Sequence, residues 1–511
     1  MKKIILLIVA ILTCACAVLT GCGDSTGYKN GLNINSQDAV SSNGGFAVVK
    51  GDYLYFVNGI AAYTDDNTYG DVQTGGLYRV KLADLANPKD ATPEQVIPAL
   101  FVASDFTSGF YMFGDSVYYA SPVTEKNKEG VVENSKLDFI KTSLDGATST
   151  IVKTVDDKAT QYRYVEANDV VYLVLKTVNE DAETVVEIIN TSDKSVVVTT
   201  EKLESVIFAE ENGTEIYYTR IAHNETLDKD ESYNEIHRVK VDGTDELLLS
   251  GNGLYGNESG FGLSGAKFAL IKETADTLYF SATYVDTSVA TVVRYYALAK
   301  EGLTKENVND KLVLLNEGTS SAATVFASTS YFVNANAIVY LDSTHGLIKY
   351  DYANVSADNP EGRERIFYDK DLIGYTVKFW HEGYLYAVDS SNYYYRVNVA
   401  ALLDADDTNN DVKVEKVNFL ANSTAWYTPE VIAHGGNEYF LSVYTAEPYA
   451  NLVFVSNVTA NATLDDEAIE SIREITEEQV TANLETSISF ITEAIQENID
   501  SYMEENFAEE E

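Results

Sequence analysis

One short phrase recurs along most of this chain, and it constrains the fold more than any other feature. Its cleanest copy reads Glu215-Ile216-Tyr217-Tyr218-Thr219-Arg220, answered by Asn234-Glu235-Ile236-His237-Arg238-Val239-Lys240-Val241-Asp242-Gly243. Both halves alternate with period two, the pattern of a half-buried strand rather than a helix. A unit this small cannot bury its apolar face alone, so it must stack on copies of itself.

Aligned on an apolar-aromatic step after a polar turn, the phrase occurs eight times. The steps are Leu54-Tyr55, Val117-Tyr118, Val171-Tyr172, Ile216-Tyr217, Leu278-Tyr279, Val339-Tyr340, Leu385-Tyr386 and Tyr439-Phe440. Successive aromatic positions lie 63, 54, 45, 62, 61, 46 and 54 residues apart, a mean of 55. That length holds four short strands with their loops. Hairpin residues precede the steps, among them Gly51-Asp52, Gly114-Asp115, Asn168-Asp169, Asn212-Gly213 and Gly436-Asn437. The seventh copy displays the whole unit, with strands expected at 375–380, 384–388, 393–399 and 412–417. The spacing therefore predicts an all-β fold, a β-propeller of eight four-stranded blades over 44–460, with seven blades and a long insertion as the alternative. The eighth copy offers strands at 430–433, 439–444 and 452–456 and no obvious fourth. Residues 32–35 are expected to supply it and close the ring.

The resemblance carried by these residues is to a known family. The Ile216-Tyr217-Tyr218-Thr219 step with its Arg238-Val239-Lys240-Val241-Asp242-Gly243 partner resembles a blade of the YWTD propellers of low-density-lipoprotein-receptor type. It is closer still to related bacterial lipoprotein propellers of unknown function. Gly76-Leu77-Tyr78-Arg79-Val80-Lys81 and Leu144-Asp145-Gly146 are partial copies, and the third and eighth copies depart most from the pattern. The resemblance implies a propeller without an assigned activity, and carries over no catalytic residue.

The first 21 residues read as a targeting segment. Lys2-Lys3 precede an apolar run from Ile4 to Val18, too short to span a bilayer comfortably, which ends in Leu19-Thr20-Gly21-Cys22. That string resembles the lipobox of bacterial lipoproteins, which makes Cys22 the expected lipid attachment site. The resemblance implies a bacterial cell membrane location, lipid-anchored and facing outside. The other cysteines, Cys14 and Cys16, lie inside the apolar run, so the mature body is expected to contain no disulfide and no Cys nucleophile. Residues 22–43, polar and rich in Ser, Asn and Gly, read as a tether.

At the other end, 461–511 reads as an acidic amphipathic helical tail. From Leu464 it has no Gly or Pro and carries 16 acidic residues against one Arg. Val480, Leu484, Ile488, Ile491, Ile495, Ile499 and Tyr502 form an apolar stripe repeating every 11 residues. It is expected to dock on the propeller wall or to drive self-association or partner binding.

Charge narrows the partners. A formal net charge of −43 excludes nucleic acid as an expected partner, since backbone binding needs clustered Lys and Arg. The chemical motifs are sparse. Gly251-x-Gly253-x-x-Gly256 spells a dinucleotide fingerprint without a βαβ setting and reads as a loop. Asp404, Asp406, Thr408 and Glu415 have the oxygen spacing of a calcium loop, but Asn409 stands where the turn needs Gly. No cofactor is expected. His223, His237, His345, His381 and His434 show no paired spacing and read as strand or turn residues, while Trp380 and Trp426 read as packing residues with sugar stacking as the alternative.

The expected function is a lipid-anchored, non-catalytic binding or scaffold protein for an envelope or extracellular ligand, protein or glycan. The alternatives are an enzyme, lyase or hydrolase, acting on surface polysaccharide or peptide, and a structural lipoprotein recruiting a partner through its tail.

Overall fold

The computed structural model describes residues 25–26, 29–57, 72–73, 76–99, 101–102, 109–122, 125–126, 132–133, 136–156, 161–208, 214–223, 232–252, 265–285, 291–317, 331–333, 337–342, 346–351, 365–369, 374–381, 383–390, 394–399, 414–417, 430–443, 453–457, 460–461, 496, 499–501 and 503–505. Cys22, Asp404, Asp406 and Thr408 lie outside them. So does most of the tail, whose described residues 496, 499–501 and 503–505 are helical, with Ile499 of the apolar stripe buried.

The described residues are overwhelmingly strand, and the principal sheets are antiparallel meanders in which chain neighbours pair. Every one of the eight apolar-aromatic steps falls in an interior strand, paired on both sides: Tyr53–Val57, Ser116–Pro122, Val170–Val178, Glu215–His223, Thr277–Val285, Ala337–Asp342, Tyr384–Val388 and Asn437–Val443. The reason is burial. Tyr55, Tyr217, Tyr279, Tyr386 and Phe440 are at most 1% exposed, so the step marks the strand covered on both faces. Asn168 and Asp169 both take positive φ (52° and 62°), the mirror-image turn that matches strand twist in a two-residue hairpin.

Among the described residues, the eight copies do not form eight separate four-stranded sheets. The third and fourth copies share one seven-stranded sheet, running from Gln161–Ala167 to Asp245–Ser250. Its middle strand, Val196–Phe208, is 13 residues long and serves both copies. Residues 196–203 pair with Thr184–Asn190 of the third copy, and 203–208 pair with Glu215–His223 of the fourth. The change of partner coincides with Lys202 at φ 62°. A side chain in that left-handed region costs about 1–2 kcal/mol. Lys202→Gly is therefore expected to raise stability by about 0.5–1 kcal/mol, read as a higher urea midpoint. The contact it loses, to Glu183 Oε1 at 3.5 Å with Lys202 largely exposed, contributes little.

The chain divides into two compact units, and the boundary runs inside Gln161–Ala167. One unit contains residues 1–164, 191–194 and 416–511, and the other contains 165–190 and 195–415. Within the first, the opening and closing copies bury their faces in one core. Phe46, Leu54, Phe56, Tyr78 and Val80 pack with Ile432, Tyr439, Leu441, Val453 and Val455.

The expected closing strand is a different object. Residues 32–35 form no strand, and the eighth copy has three strands among the described residues. Leu32 and Ile34 instead pack against the core shared by the first two copies, around Val48, Phe110 and Tyr119. Contacts also reach the segment read as a tether. Ser25–Thr26 pairs with Thr148–Asp156, and Asn30 Nδ2 donates to Leu144 O at 2.7 Å and Val96 O at 3.0 Å. Polar composition suggested slack, but those amides and the two apolar side chains find partners on the sheets.

A third strand with an Arg recurs as a clamp. Arg79, Arg238 and Arg396 stand opposite Tyr55, Tyr217 and Tyr386 in register, and all three are at most 9% exposed. Each guanidinium reaches a carboxylate of the fourth strand: Glu94 at 2.8 Å, Glu246 at 2.6 Å and Glu415 at 2.9 Å. Arg79 and Arg396 also lie over the rings of Tyr53 and Tyr384, 4.1 and 4.7 Å from their centroids. Glu415, the described member of the calcium pattern, is thus engaged by Arg396. Removing the carboxylate from such a clamp leaves the buried guanidinium uncompensated, which costs more than removing the guanidinium and leaving a carboxylate that water reaches. Glu94→Ala is expected to lower unfolding free energy by about 2–4 kcal/mol, and Arg79→Met, which leaves the 44% exposed Glu94 unpaired, by about 0.5–2 kcal/mol, both from urea titration.

Candidate functional site

In the first unit, the opening strands of three copies begin close together. Gly44 N donates to Phe110 O at 3.0 Å, and Phe110 N returns a bond to Gly45 O at 3.1 Å. Asn43 completes the seam: its Nδ2 donates to Met112 O at 3.2 Å, and its Oδ1 accepts from Met112 N at 2.7 Å. Glycine is required here by close approach. A methyl group on Gly45 would overlap Glu430 Oε1, one on Gly109 would overlap the carbonyl oxygens of Gly44 and Gly45, and one on Gly44 would meet the Tyr111 ring.

Glu430, the first residue of Glu430–His434, therefore rests its carboxylate in the space left by Gly45. No hydrogen bond or ion pair reaches it from the described residues. Burial alone pushes its carboxyl up to about 8, so it holds a proton where other carboxyls have lost theirs. Beside this seam stands an aromatic group: Tyr111 packs 5.6 Å from Tyr164 and 6.4 Å from Tyr162, and Tyr162 OH donates to Gly109 O at 2.8 Å. Burial pushes the Tyr111 phenol up to about 12, with the charge of Arg163 pulling the other way.

The second unit gathers a different cluster on the fourth copy. His237, 4% exposed, has Nδ1 3.2 Å from Asp245 Oδ1 and Nε2 3.2 Å from Glu235 Oε2. Both carboxylates can accept from the ring only when both nitrogens carry protons. Tyr218 stacks on the imidazole at 5.0 Å and donates its OH to Asp245 Oδ2 at 2.7 Å, while Arg220 Nε donates to Glu235 Oε2 at 3.2 Å. Burial acts to raise the Asp245 carboxyl, but the bonds from His237 and Tyr218 outweigh it and hold it below the usual range. The result is a string of five side chains across three strands, each one's polar atoms taken up by the next.

Sequence reading placed His237 on a strand but did not anticipate its two carboxylate partners. Glu235, two residues earlier, shares its strand face by simple alternation, while Asp245 lies on the next strand, whose register shifts between Ile236 and His237. Glu430 was one carboxylate among 79 acidic residues, and only the glycine pair at Gly44-Gly45 hinted at a close approach. Gly251 of the dinucleotide pattern has a structural use. A methyl there would overlap Ala266 O, and Ala266 N donates to Gly251 O at 3.4 Å. Gly253 and Gly256 lie outside the described residues. Among the described residues, no three His, Cys, Asp or Glu side chains are grouped as a metal would need. No described helix is long and apolar enough to cross a membrane.

Together these features define a class, an all-β protein of repeated antiparallel meanders of the kind that build β-propeller blades. No protein-family model matches the chain, and no curated protein does. Among solved structures, it is similar to the β-propeller domain of the Trilobed protease from Pyrococcus furiosus, which has an open velcro topology, at 10% identity over 85% of this chain and 98% of that one, with a TM-score of 0.32. It is similar to BamB from Moraxella catarrhalis at 9% identity over 87% and 99%, TM-score 0.33. It is also similar to Chaetomium thermophilum Sqt1 bound to the N-terminus of ribosomal protein L10, at 10% identity over 83% and 98%, TM-score 0.35.

Proposed function

We propose that this chain is a lipid-anchored, extracytoplasmic β-propeller, akin to bacterial lipoprotein propellers, that acts as a non-catalytic binding or scaffold protein for an envelope ligand. The observation that carries this reading is the recurrence of the Tyr–Arg–Glu clamp at the same strand positions in separate copies. The repeat's charged side chains hold sheets together, which leaves recognition to the connections between strands on a rigid support. The shared core of the opening and closing copies joins these two copies by side-chain packing. The test is retention of the soluble body, Asp24 onward, on purified peptidoglycan and surface glycan. Retention with the ligand's mass unchanged is expected, and no retention on either would remove the reading.

A second reading, an enzyme acting on surface polysaccharide, is favoured by Glu430. A carboxyl protonated up to about 8 and without a partner among the described residues has the character of a general acid. In the same assay this reading requires ligand cleavage that Glu430→Gln abolishes while retention persists.

A further inference from the structure

The amino-terminal segment is stitched down from its first described residues. Ser25–Thr26 adds a fifth strand to the second copy's sheet, pairing Ser25 with Ser149 and Thr26 with Thr148. Asn30 N then donates to Asp145 O at 2.8 Å, and its side chain bonds two further carbonyls. Arg79 Nη1 donates to Asn33 O at 3.4 Å, and Leu32 and Ile34, partly buried, pack against the core. Direction follows from the register. Going back from Thr26 to Ser25, the partner strand advances from 148 to 149, toward Ile151, an apolar side chain 44% exposed on that partner strand just beyond the paired residues. Only Gly23 and Asp24 separate Ser25 from Cys22. Three residue steps span at most about 11 Å.

We propose that this segment seats the body edge-on at a lipid surface: acyl chains on Cys22 hold the outer edge of the second copy's sheet, at 149–151, against the bilayer, with no slack tether between. The proposal rests on the lipid-anchored reading above. It differs from that reading in fixing which edge meets the membrane. A flexible tether of some twenty residues would let the body tumble about 25 Å away, at about 5–6 Å times the square root of its length.

The test uses the full lipidated chain reconstituted in phosphatidylethanolamine–phosphatidylglycerol vesicles containing a headgroup-labelled quenching lipid. A thiol-reactive fluorophore is placed on Ile151→Cys or, in a second protein, on Asp115→Cys. Asp115 lies in the turn two to three strands further in, about 10–14 Å at ~4.8 Å per strand, so the fluorescence loss at 151 should be at least about twice that at 115. Inserting about ten Gly-Ser residues after Gly23 should abolish that difference. Equal losses at the two positions, or a difference that survives the insertion, would overturn the seating. The mass of the same samples reports acylation of Cys22. Unacylated protein would overturn the anchor reading and the seating together, whereas acylated protein with equal losses would overturn the seating alone.

Discussion

Replacing Glu430 by Gln is expected to remove most of the alkaline loss of stability from this protein. In the folded chain burial holds the Glu430 carboxyl protonated up to about 8, against an ordinary value of 4.5. The folded state therefore binds more protons than the unfolded state between pH 4.5 and 8, and stability falls as pH rises through that window. Below pH 4.5 both states are protonated and the site contributes its full stability. Above pH 8 the folded protein must hold a carboxylate in Gly45's space without a partner among the described residues, at a cost of roughly 3–5 kcal/mol. The amide keeps the shape and cannot ionise. Urea midpoints of parent and variant should nearly coincide at pH 5 and separate steadily to pH 9, with the variant the more stable. Curves that stay parallel across that range would show that Glu430 is solvated in the folded protein.

The second large effect is expected from Gly109→Ala. Gly109 has φ 148°, and a methyl there would overlap the carbonyl oxygens of both Gly44 and Gly45. Those are backbone atoms, and Gly45 O is already accepting from Phe110 N. No rotamer change relieves the overlap, so the seam must open and its hydrogen bonds lengthen. A loss of about 3–4 kcal/mol is expected, in the range of the severe backbone and overpacking substitutions. Gly114→Ala is the control, since nothing lies within 4 Å of a methyl there and φ is 56°. It should cost only the left-handed penalty of about 1–2 kcal/mol. A Gly109 variant no less stable than the Gly114 variant would mean that the first and second copies are not joined through this seam.

Much of the fold was legible because its signal is local. The apolar-aromatic step and its turn need only alternation and hairpin chemistry, and all eight steps occupy interior strands. The strands expected in the seventh copy fall within a few residues of Thr376–His381, Tyr384–Val388, Tyr394–Asn398 and Val414–Val417. The copies that departed most in sequence depart in structure too, the third by sharing its last strand and the eighth by having three strands among the described residues. What was not legible depends on distant partners. Asn30 looks like any polar linker residue until Leu144 and Val96 present their carbonyls to it. The environment of Glu430 is set by a glycine 385 residues earlier in the chain, and no spacing rule reaches that far. The clamp lay between. Its Arg was visible in the repeated Tyr-Arg-Val and His-Arg-Val strings, but its carboxylate sits on a fourth strand whose distance along the chain varies.

The shared strand Val196–Phe208 has a consequence for how the chain opens. In an array of separate blades each unit contacts its neighbours through side chains alone, and one can fray while the next stays closed. Here the third and fourth copies are one hydrogen-bonded ladder, continuous through residue 203. Amides on both sides of that residue should exchange with solvent through a single opening event and at a common rate. The two copies would then be the unit that resists pulling and proteolysis longest, a splint set within an otherwise divisible chain.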